Sequence, residues 1–435
     1  MDSPARVESE MNQHQRNLVD LCLEEGQYEA AIDILGQLQS PHLKPSAAHL
    51  RQLLFMALYS AGDARPDKLV DPSSSPSKKQ KKSYLLPSPA AALAAQQLLV
   101  SFATTNSPAT VIRALRPSDA EPEDDNECFV ATESLCISRS KNCWQILQEG
   151  FLDRNPPIFS AGKGRHETLN SLSETQAPVG ETAWPVLHWL LLVFERDERE
   201  NKAIPQHSPL LLEQLGPPSR RDSDAPLTII LHCLQQSDQR RRMMGSRLLN
   251  LLINLSATTH LDFPMLVIAV FNRLSTSLDD ISSLMSALTP SPAVSKFKIA
   301  MYQKHFSDND VVKIVARPRP QARAQPKGSP VKIHDPAPPV SLANKYRAPG
   351  SSEILRLMEG KTSTASPFKL KFELLVSYNA FQTEAPAADR DPEWPNLLRN
   401  GTVSKTLDSA FGCKSPAEGD GLTFRNLLNV ILNIH

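Results

Sequence analysis

Glycine is scarce in this 435-residue chain, with 16 glycines against 36 prolines. Hairpin-built sheets draw on glycine-rich turns, so the imbalance argues for helices separated by proline-marked breaks. A charge excess is lacking too. Lys plus Arg equals Asp plus Glu at 47 each, so no global field draws the protein to nucleic acid or an anionic membrane. Long apolar runs are absent. The most apolar stretches, Val186–Phe194 and Met265–Phe271, fall far short of the roughly 18–20 residues that span a bilayer. The opening MDSPARVESEMNQ has no apolar core, so no signal peptide is expected and the chain reads as soluble and intracellular.

The six cysteines (Cys22, Cys128, Cys136, Cys143, Cys233 and Cys413) form no CxxC pair, and no histidine cluster completes a metal site. Cys136 and Cys143 are seven apart, which places them on one helical face as small buried hydrophobes, and the scatter fits a reducing compartment. Catalytic signatures are missing as well. Gly162-Lys163-Gly164 lacks P-loop spacing, and neither GxSxG nor HExxH occurs. His188 and His232 sit within apolar helical patterns, where a satisfied core imidazole is expected. The expectation is a non-enzyme without cofactor or metal.

What is present is helical periodicity. In Asn17–Leu38, NLVDLCLEEGQYEAAIDILGQL, one helix runs into Gly26-Gln27-Tyr28 and a second starts at Ala30-Ala31-Ile32. Leu18, Leu21 and Cys22 share a face of the first; Ala31, Ile32, Leu35 and Leu38 share a face of the second. Such a hairpin cannot bury its apolar faces without a neighbour. Gly26, Tyr28, Ala31, Ile32 and Leu35 make it resemble the turn and second helix of a tetratricopeptide repeat. Val19 stands where that family usually has glycine, and Leu38 where it has a second small residue. The resemblance covers this one hairpin and implies a helical-repeat fold with a concave binding groove; it carries over no binding residue. A generic helical hairpin is the other reading.

The fold class expected is all-α: an irregular helical-repeat array, armadillo-, HEAT- or TPR-like, with disordered Pro-rich inserts. Residues 1–62 read as the hairpin plus a third helix over Ala47–Ala61, with Leu50, Leu54, Ala57 and Leu58 on its inner side. Residues 63–87 read as a disordered basic insert, and 88–306 as the main helical domain. There the pattern predicts helices over Ser88–Thr104, Ala109–Leu115, Cys128–Leu152 (one or two) and Glu181–Arg196. The last is apolar nearly all round, hence the expected centre of the core. Further helices are expected over Ser208–Leu215, Ala225–Gln236, Arg240–Leu255, Phe263–Ser275, Asp279–Leu288 and Pro292–His305. In Arg240–Leu255, Met244, Leu248, Leu251 and Leu255 face inward. Residues 307–350 read as a Pro-rich basic linker and 351–435 as a C-terminal helical segment. Phe368–Val376 fits strand alternation, yet Leu370, Leu374, Tyr378 and Phe381 follow helical spacing; helix is favoured because no second strand is available.

Lys78, Lys79, Lys81 and Lys82 match the short basic pattern read by nuclear import receptors, the alternative being a solvated charge run. A nuclear, otherwise cytoplasmic, location is the expectation. Ser75 and Ser329 begin Ser-Pro-x-Lys sequences that resemble cyclin-dependent kinase targets, and Ser223 follows Arg220-Arg221 as in basophilic sites. Arg317, Arg319, Arg323, Lys327 and Lys332 could contact phosphates weakly from the 316–332 linker, although no aromatic is interleaved for base stacking. Arg247, Asn250 and Asn254 form a polar stripe suited to lining a partner groove, as does the turn at Gln27 and Tyr28. The function expected is a non-enzymatic adaptor or scaffold subunit of a larger nuclear protein assembly. A chromatin- or nucleic-acid-associated role through 316–332 is the alternative.

Overall fold

The computed structural model describes residues 8–59, 86–116, 128–154, 176–203, 205–217, 221, 223–258, 260–274, 278–311, 347–360, 367–412 and 419–433. Over these residues the protein is all-α, apart from a two-residue parallel bridge between β1 (Ser9–Glu10) and β2 (Leu43–Lys44). The chain divides into two compact units, Met1–Leu255 and Ser256–His435.

The first unit begins with α1 (Gln13–Glu24), α2 (Tyr28–Leu38) and α3 (Ala47–Leu58). There follow α4 (Pro89–Thr105), α5 (Pro108–Val111) with a 3-10 turn at Ile112–Leu115, α6 (Phe129–Ser138), α7 (Cys143–Leu147) and α8 (Phe151–Arg154). The unit closes with α9 (Trp184–Glu200), α10 (Pro209–Gln214), α11 (Asp224–Leu234) and α12 (Gln239–Ser256). Local chemistry fixes several starts. Ser88 Oγ accepts from the Ala91 N–H at 2.9 Å with Pro89 in the first turn, and Ser208 Oγ serves Leu211 the same way at 3.1 Å. At the other end of α4, Arg196 donates to the Ala103 and Asn106 carbonyls at 3.2 and 2.7 Å.

Two helices form the centre of this unit. In α9, Val186, Leu187, Trp189, Leu190, Leu191, Val193 and Phe194 are buried, as the apolar pattern expects. In α3, every residue from His49 to Leu58 is buried, including Arg51 and Gln52, where the sequence suggested one inner side only. It packs against α4 and α6, and α2 packs against α4. A helix enclosed on all sides needs neighbours from downstream, and α3 finds them in α4 and α6. The boundary between the compact units at Leu255 falls inside the 88–306 span read from the sequence as one domain, and the described part of 1–62 lies in the same unit as the helices that follow it.

Two further expectations change. Cys136 and Cys143 lie on different helices, α6 and α7, separated by the break at Arg139–Asn142 that the Asn142 cap creates, and only Cys143 is fully buried. Within α12, Leu248, Leu251 and Leu255 are buried as expected, while Met244 is half-buried.

In the second unit, α13 (Phe263–Leu274), α14 (Leu278–Ala287) and α15 (Pro292–Val311) precede α16 (Ser351–Glu359) and α17 (Pro367–Glu384). Three more helices follow: α18 (Trp394–Arg399), α19 (Thr402–Phe411) and α20 (Gly419–Ile431). Residues 368–376 are helical. Leu370, Leu374, Tyr378 and Phe381 are buried at helical spacing, and α17 packs on α15. Glu373 accepts from Tyr302 Oη at 2.5 Å and Ser282 Oγ at 2.7 Å, tying α17 to α15 and α14. Asp391 Oδ2 accepts from the Ser351 N–H at 2.6 Å and closes the start of α16.

Candidate interaction surfaces

The first surface is the N-terminal hairpin. Asn12 starts α1 with a capping box: its Oδ1 accepts from the Gln15 N–H at 2.9 Å, and its own N–H donates to Gln15 Oε1 at 3.0 Å. The turn passes through Gly26 at φ 73°, a left-handed conformation that favours glycine. In α2 the inner face is Tyr28, Ala31, Ile32 and Leu35, matching the sequence except that Leu38 is only half-buried.

In α1 the outcome is reversed. Val19 and Leu23 face inward, whereas Leu18 is 44% and Leu21 53% exposed and Cys22 is half-buried. Asp20 is consistent with this rotation: its Oδ1 meets His49 Nε2 at 2.9 Å, and His49 is buried in α3. Leu18 and Leu21 therefore face solvent, with Cys22 at the edge of the buried face. Tyr28, expected to line a groove, is only 4% exposed and therefore packs instead; Gln27 is exposed.

The second expected surface is closed. Arg247 forms a bidentate pair with Glu195, Nε–Oε1 at 2.6 Å and Nη2–Oε2 at 2.7 Å, and Asn254 Nδ2 donates to Glu198 Oε1 at 3.0 Å. The Arg247 and Asn254 side chains, expected to line a partner groove, thus carry contacts to α9, and Asn250 between them is half-buried. Arg247 Nη1 also lies 3.2 Å from His188 Nδ1. A guanidinium only donates, so Nδ1 accepts and the imidazole is neutral. Burial first, and the Arg247 charge second, hold the His188 pKa below its ordinary value, outweighing Glu195. His188 is accordingly a half-buried seam residue and no core imidazole. His232 is half-buried too, stacked on Trp184 at 5.6 Å between ring centroids; Arg241 lies 4.6 Å from the Trp184 ring centroid and pairs with Glu181 at 2.6 Å.

The remaining sites separate as follows. Ser223 is half-buried at the start of α11 and makes no side-chain cap hydrogen bond. Lys78, Lys79, Lys81, Lys82, Ser75, Ser329 and the 316–332 linker lie outside the described residues. Burial raises the thiol pKa of Cys128, Cys136, Cys143 and Cys233, which keeps them protonated and poorly nucleophilic. Among the described residues no group of three His, Cys, Asp or Glu side chains could hold a metal ion, and no helix is long and apolar enough to cross a membrane.

Other open features have simpler accounts. A cleft of about 430 Å³ in the second unit is lined by Arg347, Glu353, Gln382, Arg390 and Asp391, and Asp391 is occupied in capping α16. Along α20, Leu427, Val430 and Ile431 are exposed at helical spacing, flanked by Asn426 and Asn429, which set no sign of charge for a partner. No known protein family, curated protein or solved structure matches the chain.

Proposed function

We propose that this chain is a non-enzymatic adaptor or scaffold subunit of a larger protein assembly, and that it engages a protein partner through the outer face of α1. One observation carries the reading: Leu18 and Leu21 stand exposed, one helical turn apart, on a hairpin whose other face is fully packed. An exposed apolar stripe of this kind is what a partner covers, at up to roughly 1.5–3 kcal/mol for each leucine removed from water. The buried cysteines and the closed α9–α12 seam support a binding role over chemistry.

The test is affinity purification of the tagged full chain, wild type against Leu18→Gln/Leu21→Gln, with the captured proteins identified by mass spectrometry. Both positions face solvent, so the variant keeps the wild-type melting temperature and loses a defined subset of captured proteins. An identical protein set from both would refute this surface.

A further inference from the structure

The hairpin concentrates one sign of charge in a chain that is otherwise balanced. From Asn17 to Leu43 there are five acids (Asp20, Glu24, Glu25, Glu29 and Asp33) and no lysine or arginine. Asp20 is committed to His49. The other four are exposed, and none forms an ion pair with a described residue.

Their placement relative to the apolar stripe is informative. Glu25 lies four residues beyond Leu21 and seven beyond Leu18, so it prolongs the stripe; Glu24 flanks it. Glu29, at the start of α2, is turned away: its Oε1 accepts from Ser88 Oγ at 2.6 Å, at the start of α4. The negative end of the α1 dipole falls at the Glu24–Glu25 end. The opposite end of α1 carries the neutral Gln13 and the exposed His14, with Arg16 turned aside to the Met11 carbonyl at 3.1 Å. The face thus carries two exposed leucines at its middle and two glutamates at the turn end.

We infer that the occupant of this face is a basic amphipathic helix of a partner protein, its apolar residues at i, i+3, i+4 and i+7 against Leu18, Leu21 and Cys22, and its lysines or arginines over Glu24 and Glu25. A helix matches the stripe because two parallel or antiparallel helices bury ridges of this spacing in one another. An acidic helix would bring like charges together at the turn, which disfavours it. This inference rests on the adaptor reading and adds the chemistry of the partner.

The experiment uses the full chain and two labelled synthetic helices of about 18 residues with the same leucine positions, one with lysine and one with glutamate at the polar positions. Fluorescence anisotropy reads their affinities. The lysine helix should bind about tenfold or more tightly than the glutamate helix, and the preference should shrink as salt rises. Leu18→Gln/Leu21→Gln should remove binding of the lysine helix, and Glu24→Gln/Glu25→Gln should remove the preference while leaving the melting temperature unchanged. Equal binding of both helices, still abolished by the leucine variant, would overturn the basic occupant and spare the adaptor reading. Binding of the lysine helix that ignores the leucine substitutions would overturn both.

Discussion

Gly245→Val should be the most damaging single substitution in the first unit. A Cβ at Gly245 in α12 would sit 2.8 Å from Cys233 Cβ and 3.0 Å from the Ile230 carbonyl oxygen, both in α11. Side chains do not approach one another that closely, and a backbone carbonyl cannot swing aside, so the two helices must separate. Even Gly245→Ala has two opposed effects. Alanine gains about 1 kcal/mol of helix propensity over glycine, while overpacking costs about 1–3 kcal/mol. The clash should win, and valine, adding two methyl groups and β-branching, should lose more than alanine. Denaturant midpoints of the three proteins check this order. A midpoint for Gly245→Ala above the wild type would mean that α11 and α12 cross more loosely than described. The same separation would strain the Arg247–Glu195 pair, two residues along α12 from the crossing.

Ala31→Trp is expected to have the second-largest effect. Ala31 is fully buried on the inner face of α2, between Tyr28 and Leu35, and α2 packs on both α1 and α4. An indole there has no free volume to enter, so a cost of about 1–3 kcal/mol follows. That is a large share of a marginal domain's stability and lowers the melting temperature by roughly 2–4 °C per kcal/mol in a unit of this size. Ala30, about 100° around the helix and only half-buried, should tolerate tryptophan with a much smaller shift. Thermal melts of the two variants distinguish the faces. Wild-type melting of both would show that the hairpin is not packed, and the exposed α1 face would lose its platform.

The all-α class was legible because it rests on local chemistry. The excess of proline over glycine and the apolar spacing in 184–194 both report on residues within a turn or two of one another. Ser291 starts its helix in the same local way, accepting from the Val294 N–H at 3.2 Å. The helix over 367–384 was legible because Leu370, Leu374 and Tyr378 fit helical spacing and no second strand was available to pair with the alternation around Phe372.

What stayed hidden depends on pairs distant in sequence. Five apolar residues crowd positions 18–23, and two different stripes can be drawn through them. Packing of α1 on α2 buries Val19 and Leu23, and the Asp20–His49 bond, 29 residues apart, goes with that choice. His49 gave no warning, because a polar residue in α3 reads as surface. Arg247 and Asn254 looked like an open polar stripe until Glu195 and Glu198, more than 50 residues earlier, were seen to face them. One signal for that seam was present: the acids of α9 recur at i and i+3 just beyond its apolar run, as complements to a basic or amide stripe would. Tyr28 was misplaced because an aromatic beside a turn suits either a groove or a core, and the packing of α2 on α4 decides for the core.

The central claim is that a partner covers the outer face of α1. Site-specific photo-crosslinking from position 21 in cells tests it most directly, with position 93 in α4 as a control, since Leu93 is also an exposed leucine at 55%. The account predicts a discrete crosslinked protein band from position 21 that is absent from position 93 and disappears when Leu18→Gln is added. The same products from both positions, or a band from position 21 that survives Leu18→Gln, would contradict it.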